Sequence, residues 1–441
     1  MDFGWLIPVI IAIMIYALIC FAIKANNFLP NTFSFMGPCL MIKTSHTGIF
    51  DKLSRWKRVL LAYGNLGVIL TVICSAAVTL LFVLTAYLSL RVDTEPIAPQ
   101  NLLLIPGIND YVPSTFAVWF AIIFAMVIHE YGHGILSRAE NIRVKSTGIL
   151  ALVIPIGAFV EPDEEDIEKS SLGTKLRMYA AGITNNLAAG AVCLIILVLL
   201  LGLVVPGTSP YVYGVYEGYP ADEAGVLPGT VILALDNTTV SSLADVSSFL
   251  ATTKANQTIT IHGEYKGTPQ MYDVTLTSIP VNLSGRVLVS GSDAGFIGVS
   301  FSEPSALTNT LDTLIYPSSP LGAVSSFLTF VVLPFSSITG TDVLGFLIVD
   351  TPDPAILAAP FTGFWEIIHI LYWCAWLNIL LGIFNALPLG PFDGGQMLRE
   401  TLRAWCIRRG KDEKTAFIIC RSITYILAML IIIPLVMPYL F

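Results

Sequence analysis

Six apolar runs divide the 441 residues: 5–23, 59–90, 113–136, 176–205, 364–387 and 416–439. Each is long enough to cross a hydrocarbon core about 30 Å thick, so each is expected to be a membrane-spanning helix. Only 12% of residues are charged, against roughly a quarter in soluble domains, and mean hydropathy is +0.76. A soluble globular enzyme, a nucleic-acid binder and a disordered scaffold are excluded. The net charge of −8 offers no basic patch for nucleic acid. Run 5–23 has no basic residue before it and Lys24 directly after it, the reverse of a secretory signal, and is read as a retained helix. The seven cysteines form no C-x-x-C pair and fall mostly inside apolar runs. They are read as small buried hydrophobes, not as disulfides or zinc ligands.

Basic residues orient the spans. Segment 24–58 carries six Lys or Arg, 91–112 one, 138–177 six, 206–363 three and 399–414 six. The alternation puts the N-terminus and 206–363 outside the cytosol and agrees with six crossings. Segment 320–349 is also apolar, but Pro334 and Gly340 interrupt it. A crossing there would turn the basic loop 399–414 outward, so it is read as an interfacial or re-entrant piece.

The third run contains His129-Glu130-Tyr131-Gly132-His133, an H-E-x-x-H. On a helix, positions i and i+4 share a face about 6 Å apart along the axis, which suits two imidazoles on one Zn²⁺. Glu130 then stands beside the metal, able to take a proton from bound water. The competing reading is a pair of core histidines beside an unrelated glutamate, and the cost of ionisable groups inside a span weighs against it. A catalytic zinc needs a third protein ligand and one open position. Asp393 lies in the Pro/Gly-broken stretch after the fifth run, where it either caps the next helix or turns its carboxylate into the bundle. His129 sits roughly 24 Å into an inward-running span. Asp393 ends the fifth span on that same cytosolic side if 320–349 makes no net crossing.

These residues carry a specific resemblance. H-E-x-x-H in one span and N-x-x-P-x-x-x-x-D-G (Asn385, Pro388, Asp393, Gly394) in a later one resemble the site-2 protease family of intramembrane zinc metalloproteases. The resemblance implies that His129, His133 and Asp393 ligate one zinc, that Glu130 is the general base, and that Asn385 and Pro388 position substrate. The intervening run begins Ala181-Gly182-Ile183-Thr184-Asn185-Asn186, similar to the family's A-G-P-x-x-N with Ile183 in place of proline. That maps a polar helper, a donor to the developing oxyanion, onto Asn186, with Asn185 one residue away. Segment 148–161, apolar but only 14 residues and broken by Pro155 and Gly157, fits a re-entrant hairpin. The resemblance implies a strand there that dips toward the active site and holds unwound substrate by main-chain pairing. The alternative is a buried loop that only packs the bundle. The acidic run 161–168 is read as a solvated surface.

Composition changes at Pro206. Residues 211–302 are polar and rich in Thr and Val, as in a small β-rich domain. The run 218–236 and the closing Phe296-Ile297-Gly298-Val299 resemble a circularly permuted PDZ domain, either a peptide-end binder or a steric lid. Three N-x-S/T sequons, at Asn237, Asn256 and Asn282, fall in this insert. Of the other histidines, His46 and His262 are expected in solvated loops, and His369 at the membrane face opposite the metal site.

The expected architecture is an all-α polytopic membrane protein with six transmembrane helices, a re-entrant hairpin and one inserted PDZ-like domain. Its parts are a two-span region (1–112), a metal-binding core (113–206), the exported insert (211–302), an apolar linker (303–363), and the aspartate-bearing helix with the last span (364–441). The implied activity is zinc-dependent hydrolysis within single-span membrane proteins already cut outside by a site-1-type protease. The lipid bilayer is a partner and nucleic acid is not. The rivals are a transporter or metal-dependent receptor, and a non-catalytic relative that binds membrane proteins.

Overall fold

The computed structural model describes residues 6–92, 96–279, 282–283, 286–287, 295–335 and 342–440. Trp5 and residues 336–341, each part of a segment interpreted above, lie outside them. The chain divides into two compact units, Met1–Leu194 with Trp373–Phe441, and Ile195–Tyr372.

The first unit opens with the apolar helix α1 (Leu6–Ala25), followed by strands β1 (Phe33–Met36) and β2 (Cys39–Thr44). A short helix α2 (Gly48–Leu53) leads into the long α3 (Lys57–Ser89). Helix α4 (Phe116–Ala139) starts at Thr115, whose side chain accepts from Val118 N and satisfies one of the free amides of the first turn. Strands β3 (Val144–Leu152) and β4 (Ile154–Pro162) follow, then α5 (Glu164–Lys169), capped by Asp163, and α6 (Leu172–Leu201).

The expectation of an all-α membrane part is therefore corrected. The hairpin β3–β4 belongs to a four-stranded antiparallel sheet in the order β1-β2-β3-β4. A lone hairpin among apolar helices would leave unpaired backbone along both edges, which is costly away from water. Pairing of Leu40–Thr44 with Thr147–Ala151 closes one of those edges, and β4 keeps the other. Residues 33–44 escaped the sequence reading because two short strands with little polar/apolar alternation do not stand out. Helix α1 is tied to this sheet through Tyr16, whose hydroxyl accepts from Leu40 N and lies within donating distance of the Pro38 and Ala151 carbonyls.

The second unit is built around a six-stranded antiparallel sheet. Its strands include β5 (Tyr211–Val215), β6 (Val231–Leu235), β7 (Thr258–Tyr265), β8 (Thr268–Thr275) and β9 (Val299–Ser302), in the order β8-β7-β6-β5-β9. Lys266 and Gly267, both at positive φ, make the two-residue turn that suits the twist of the β7–β8 hairpin. Val212, Ile232, Leu235, Ile259, Ile261 and Val274 fill the core beside helix α7 (Leu243–Ala251). His262 lies on β7 and not in a loop, the alternation of that strand having been hidden by its polar Thr and His positions.

Helices α8 (Pro304–Ile315) and α9 (Pro320–Val332) come next, bent by 112° at their junction. At thirteen residues α9 is about 20 Å long, too short to cross a bilayer alone. His369, in α10 (Phe364–Asn385), points Nε2 at the Phe346 and Asp350 carbonyls at 2.9 and 3.0 Å. The first unit resumes within α10 and adds α11 (Asp393–Arg408) and α12 (Glu413–Leu440).

Among the described residues, five helices are long and apolar enough to cross a membrane, or six if the bent pair counts as one. The exposed faces of α3 and α12 carry Ile73, Leu80, Phe417 and Ile418, each more than half exposed. Such surfaces aggregate in water and are the solvated faces in lipid.

Candidate metal centre

The i, i+4 spacing on α4 brings His129 and His133 together with ring centroids 4.9 Å apart and Nε2 atoms 3.3 Å apart. Asp393, first residue of α11, reaches them from a distant part of the sequence. Its Oδ2 lies 3.1 Å from His129 Nε2 and 3.2 Å from His133 Nε2. Despite these contacts Oδ2 is buried and accepts no hydrogen bond. Three ligand atoms therefore converge on one point without satisfying one another. Ligands about 2.0–2.1 Å from a tetrahedral zinc stand about 3.3 Å apart, so the observed spacing fits that ion.

Two neighbours keep space at this point. A Cβ on Gly182 of α6 would meet His129 Cε1 and His133 Nε2 at 2.6 Å, so only glycine leaves the approach between the imidazoles clear. A Cβ on Gly394 would lie 2.2 Å from the Ala386 carbonyl oxygen, so glycine also permits the tight return that presents Asp393.

The outer nitrogens of both imidazoles have partners, as metal-bound histidines require. His133 Nδ1 is 2.8 Å from the Met178 carbonyl oxygen, which places the proton on Nδ1 and leaves the Nε2 lone pair facing Asp393. His129 Nδ1 is 3.3 Å from the Asn186 amide, whose other terminal atom, Oδ1, is buried and unpaired. A half-turn of the amide gives Oδ1 the Nδ1 proton and fixes the same tautomer on His129. Asn185 is turned elsewhere: it accepts from Tyr63 Oη at 2.9 Å and donates to the Ile128 carbonyl at 3.1 Å. Of the two adjacent amides, Asn186 therefore reaches the histidines.

Glu130 is half-buried and accepts from the Val160 backbone amide of β4 at 2.9 Å. Val160 thus turns its N–H away from β3, and by the two-residue period of a strand Ala158 does the same. Asn385 donates to the Leu381 carbonyl at 3.0 Å, ending α10, and Pro388 lies in the turn that follows. Neither has a described contact with the two imidazoles. Gly182 stood in the A-G-x-x-N-N stretch that drew attention to Asn186, but the Met178 carbonyl and the Val160 amide, being backbone groups, carried no signal of their own in the sequence.

Two imidazoles and a carboxylate around one point, with Glu130 next to His129 on α4, have the make-up of a candidate metal centre for a hydrolase. Residues 116–431, well over half of the chain, match the family model described as Peptidase family M50. The chain belongs to that family, the site-2 protease family, and is a zinc metalloendopeptidase of that type and a multi-pass membrane protein. It is 24% identical over 349 residues to zinc metalloprotease Rip1 of Mycobacterium tuberculosis, covering 63% of this chain and 82% of that protein. It is 23% identical over 322 residues to zinc metalloprotease RasP of Bacillus licheniformis, covering 70% and 69%. A Methanocaldococcus jannaschii protein described as uncharacterized is 25% identical over 275 residues, 62% of this chain and 54% of that one.

Proposed function

We propose that this protease hydrolyses peptide bonds inside the membrane-spanning segments of single-span proteins, after an upstream protease has cut them outside the cytosol. The observation that carries the reading is the convergence of His129, His133 and Asp393, at 3.1–3.3 Å, where apolar helices meet. These three side chains would hold one zinc per chain. When bound, zinc supplies Lewis acidity, bringing the pKa of its water from 15.7 to near 7 and polarising a carbonyl.

The chain's own groups do the rest. Glu130 takes the proton from the attacking water and returns it to the leaving nitrogen. Its bond to Val160 N holds the carboxylate toward the open edge of β4. That edge, with the outward groups of Ala158 and the carbonyl of Val160, receives an unwound stretch of substrate as an added strand and sets its carbonyl beside Glu130. Substrate helices must unwind, because a helical carbonyl is occupied by its own hydrogen bond. The contact between Asn186 and His129 favours orientation of the imidazole over donation to an oxyanion. A cavity of about 660 Å³, lined by Phe159, Val160, Glu161 and Lys175 among others, lies along β4 and would bring water to that edge of the strand.

In this reading α1 is a sixth span and the short α9 makes no net crossing. The N-terminus and the PDZ-like insert then lie outside the cytosol, and the metal centre near its face. The insert's edge strand β9 would take the freshly cut chain end.

The test is incubation of the full chain, reconstituted in lipid, with a single-span reporter and mass determination of the products. Cuts inside the apolar segment support the reading. Cuts confined to the flanking loops overturn it.

A further inference from the structure

The residues assigned so far leave one buried ion pair without a role. Lys175 Nζ of α6 lies 3.1 Å from Glu400 Oε2 of α11, and both residues are only 7% exposed. Both residues also stand in the wall of the cavity along β4, and charges this largely buried are tolerated where geometry holds them together, so the pair is a constraint between two helices. Lys175 precedes Asn186 by eleven residues and Glu400 follows Asp393 by seven. At about 100° per residue, both separations return to nearly the same helix face. The pair therefore joins α6 and α11 on the faces that carry site residues, with Glu400 about 10 Å along α11 from Asp393.

Asp393 needs such a constraint. On its upstream side the chain is a turn with local bonds, Leu389 N to the Leu387 carbonyl at 2.8 Å and Phe392 N to the Leu389 carbonyl at 2.9 Å. Its position therefore depends on the helix that follows it as well as on the packing of this turn against Gly394 and Gly395. Within α11, Glu400 also faces Arg399 at 3.4 Å and Arg403 at 4.0 Å, and Arg403 continues to Glu413 of α12 at 2.8 Å and Glu168 of α5 at 3.7 Å. On another face of α6, about 200° from Lys175, Arg177 pairs with Glu140 just after α4, and Thr174 donates to the same carboxylate at 3.1 Å. Helix α6 is thereby fastened to the helix that carries the histidines and to the helix that carries the aspartate.

We infer that Lys175 and Glu400 are positioning residues for the metal centre, setting α11 against α6 so that Asp393 meets the imidazoles of α4. The inference rests on the metal reading above. It ranks three variants. Glu400→Gln leaves Lys175 buried against a neutral amide and is the most damaging. Lys175→Met leaves Glu400 beside Arg399 and Arg403 and is milder. The double variant Lys175→Met/Glu400→Met fills the same space without charge and restores the helix register, since apolar replacement of a whole buried pair is tolerated.

The experiment is chelator competition for zinc on the purified full chain, with the visible absorption of the Co²⁺ form and the thermal melt recorded alongside. Glu400→Gln is expected to weaken zinc binding about tenfold or more and to shift the Co²⁺ bands; Lys175→Met does so less, and the double variant returns to within about threefold of wild type. If the single variants lower the melting temperature but leave affinity and bands unchanged, the pair is only structural and the inference fails. Failure of the double variant to recover also overturns it. Should Glu400→Gln not fold, Lys175→Met and the double variant still decide. An Asp393→Asn arm separates the two levels: wild-type zinc binding there defeats the metal reading itself, whereas loss there with none in the pair variants defeats the positioning role alone.

Discussion

Helices α4 and α11 supply the same cluster by opposite means. On α4 the two histidines are placed by helix geometry alone, since any regular helix puts i and i+4 on one face. On α11 the aspartate stands at the first residue after a Pro/Gly-broken turn, more than 250 residues further along the chain. Its alignment depends on Gly394, on the turn 386–392 and on what α11 packs against. One half of the site is local and should survive most changes elsewhere. The other half is assembled and should be sensitive to its supports.

The strongest way to break this contrast is to remove the assembled ligand. Asp393→Ala takes away one of the three proposed protein ligands, and zinc occupancy is expected to fall below about a tenth of wild type with activity lost in parallel. Metal analysis of the purified variant checks it, with the circular dichroism spectrum showing the helices intact. Crowding the space between the ligands comes next. Gly182→Ala sets a methyl group 2.6 Å from held imidazole atoms, and the strain is expected to cost about 1–3 kcal/mol, read as weaker zinc binding and a lower melting temperature. Smaller still is Asn186→Ala, which leaves His129 Nδ1 without its partner; zinc affinity should drop about tenfold, at the lower end for groups that orient a metal-bound histidine.

The smallest effect lies away from the site and sharpens the contrast by sparing both halves. Arg143 donates to Asp166 from Nε at 2.9 Å and from its backbone N at 3.1 Å, lowering the carboxyl to about 2 from an ordinary 3.8. A carboxyl depressed in the folded state adds stability above its unfolded value, and that contribution disappears as pH falls through about 2. Melts of Asp166→Asn and wild type should differ by a constant small amount above about pH 5 and converge as pH falls from 4 toward 2. Zinc binding at neutral pH should be unchanged.

The same contrast explains what the sequence made legible. His129, Glu130 and His133 stand out because their spacing is the geometry, and because ionisable groups inside an apolar run have few other reasons to be there. Asp393 could be approached through the Pro/Gly break and through the membrane side that the charge pattern assigns to both it and His129. The adjacent amides of Asn185 and Asn186 could not be separated without knowing how α6 is rotated between α3 and α4. Strand β2 was invisible because a sheet edge is a property of partners and its partner β3 lies about a hundred residues later, and β1 has only β2 to pair with. Met178 and Val160 act through the backbone, which no residue-type pattern marks, whereas Gly182 stood inside a recognisable motif without showing that its missing side chain matters.

The central claim is that Glu130 works on water at a zinc held by His129, His133 and Asp393. Its most direct test is a comparison of wild type with Glu130→Gln, measuring zinc per chain and cleavage of a single-span reporter in the same preparations. The account predicts about one zinc per chain in both and a loss of cleavage of about 10²–10⁴-fold in the variant. Equal cleavage by the two proteins, or loss of zinc from the variant, would contradict it.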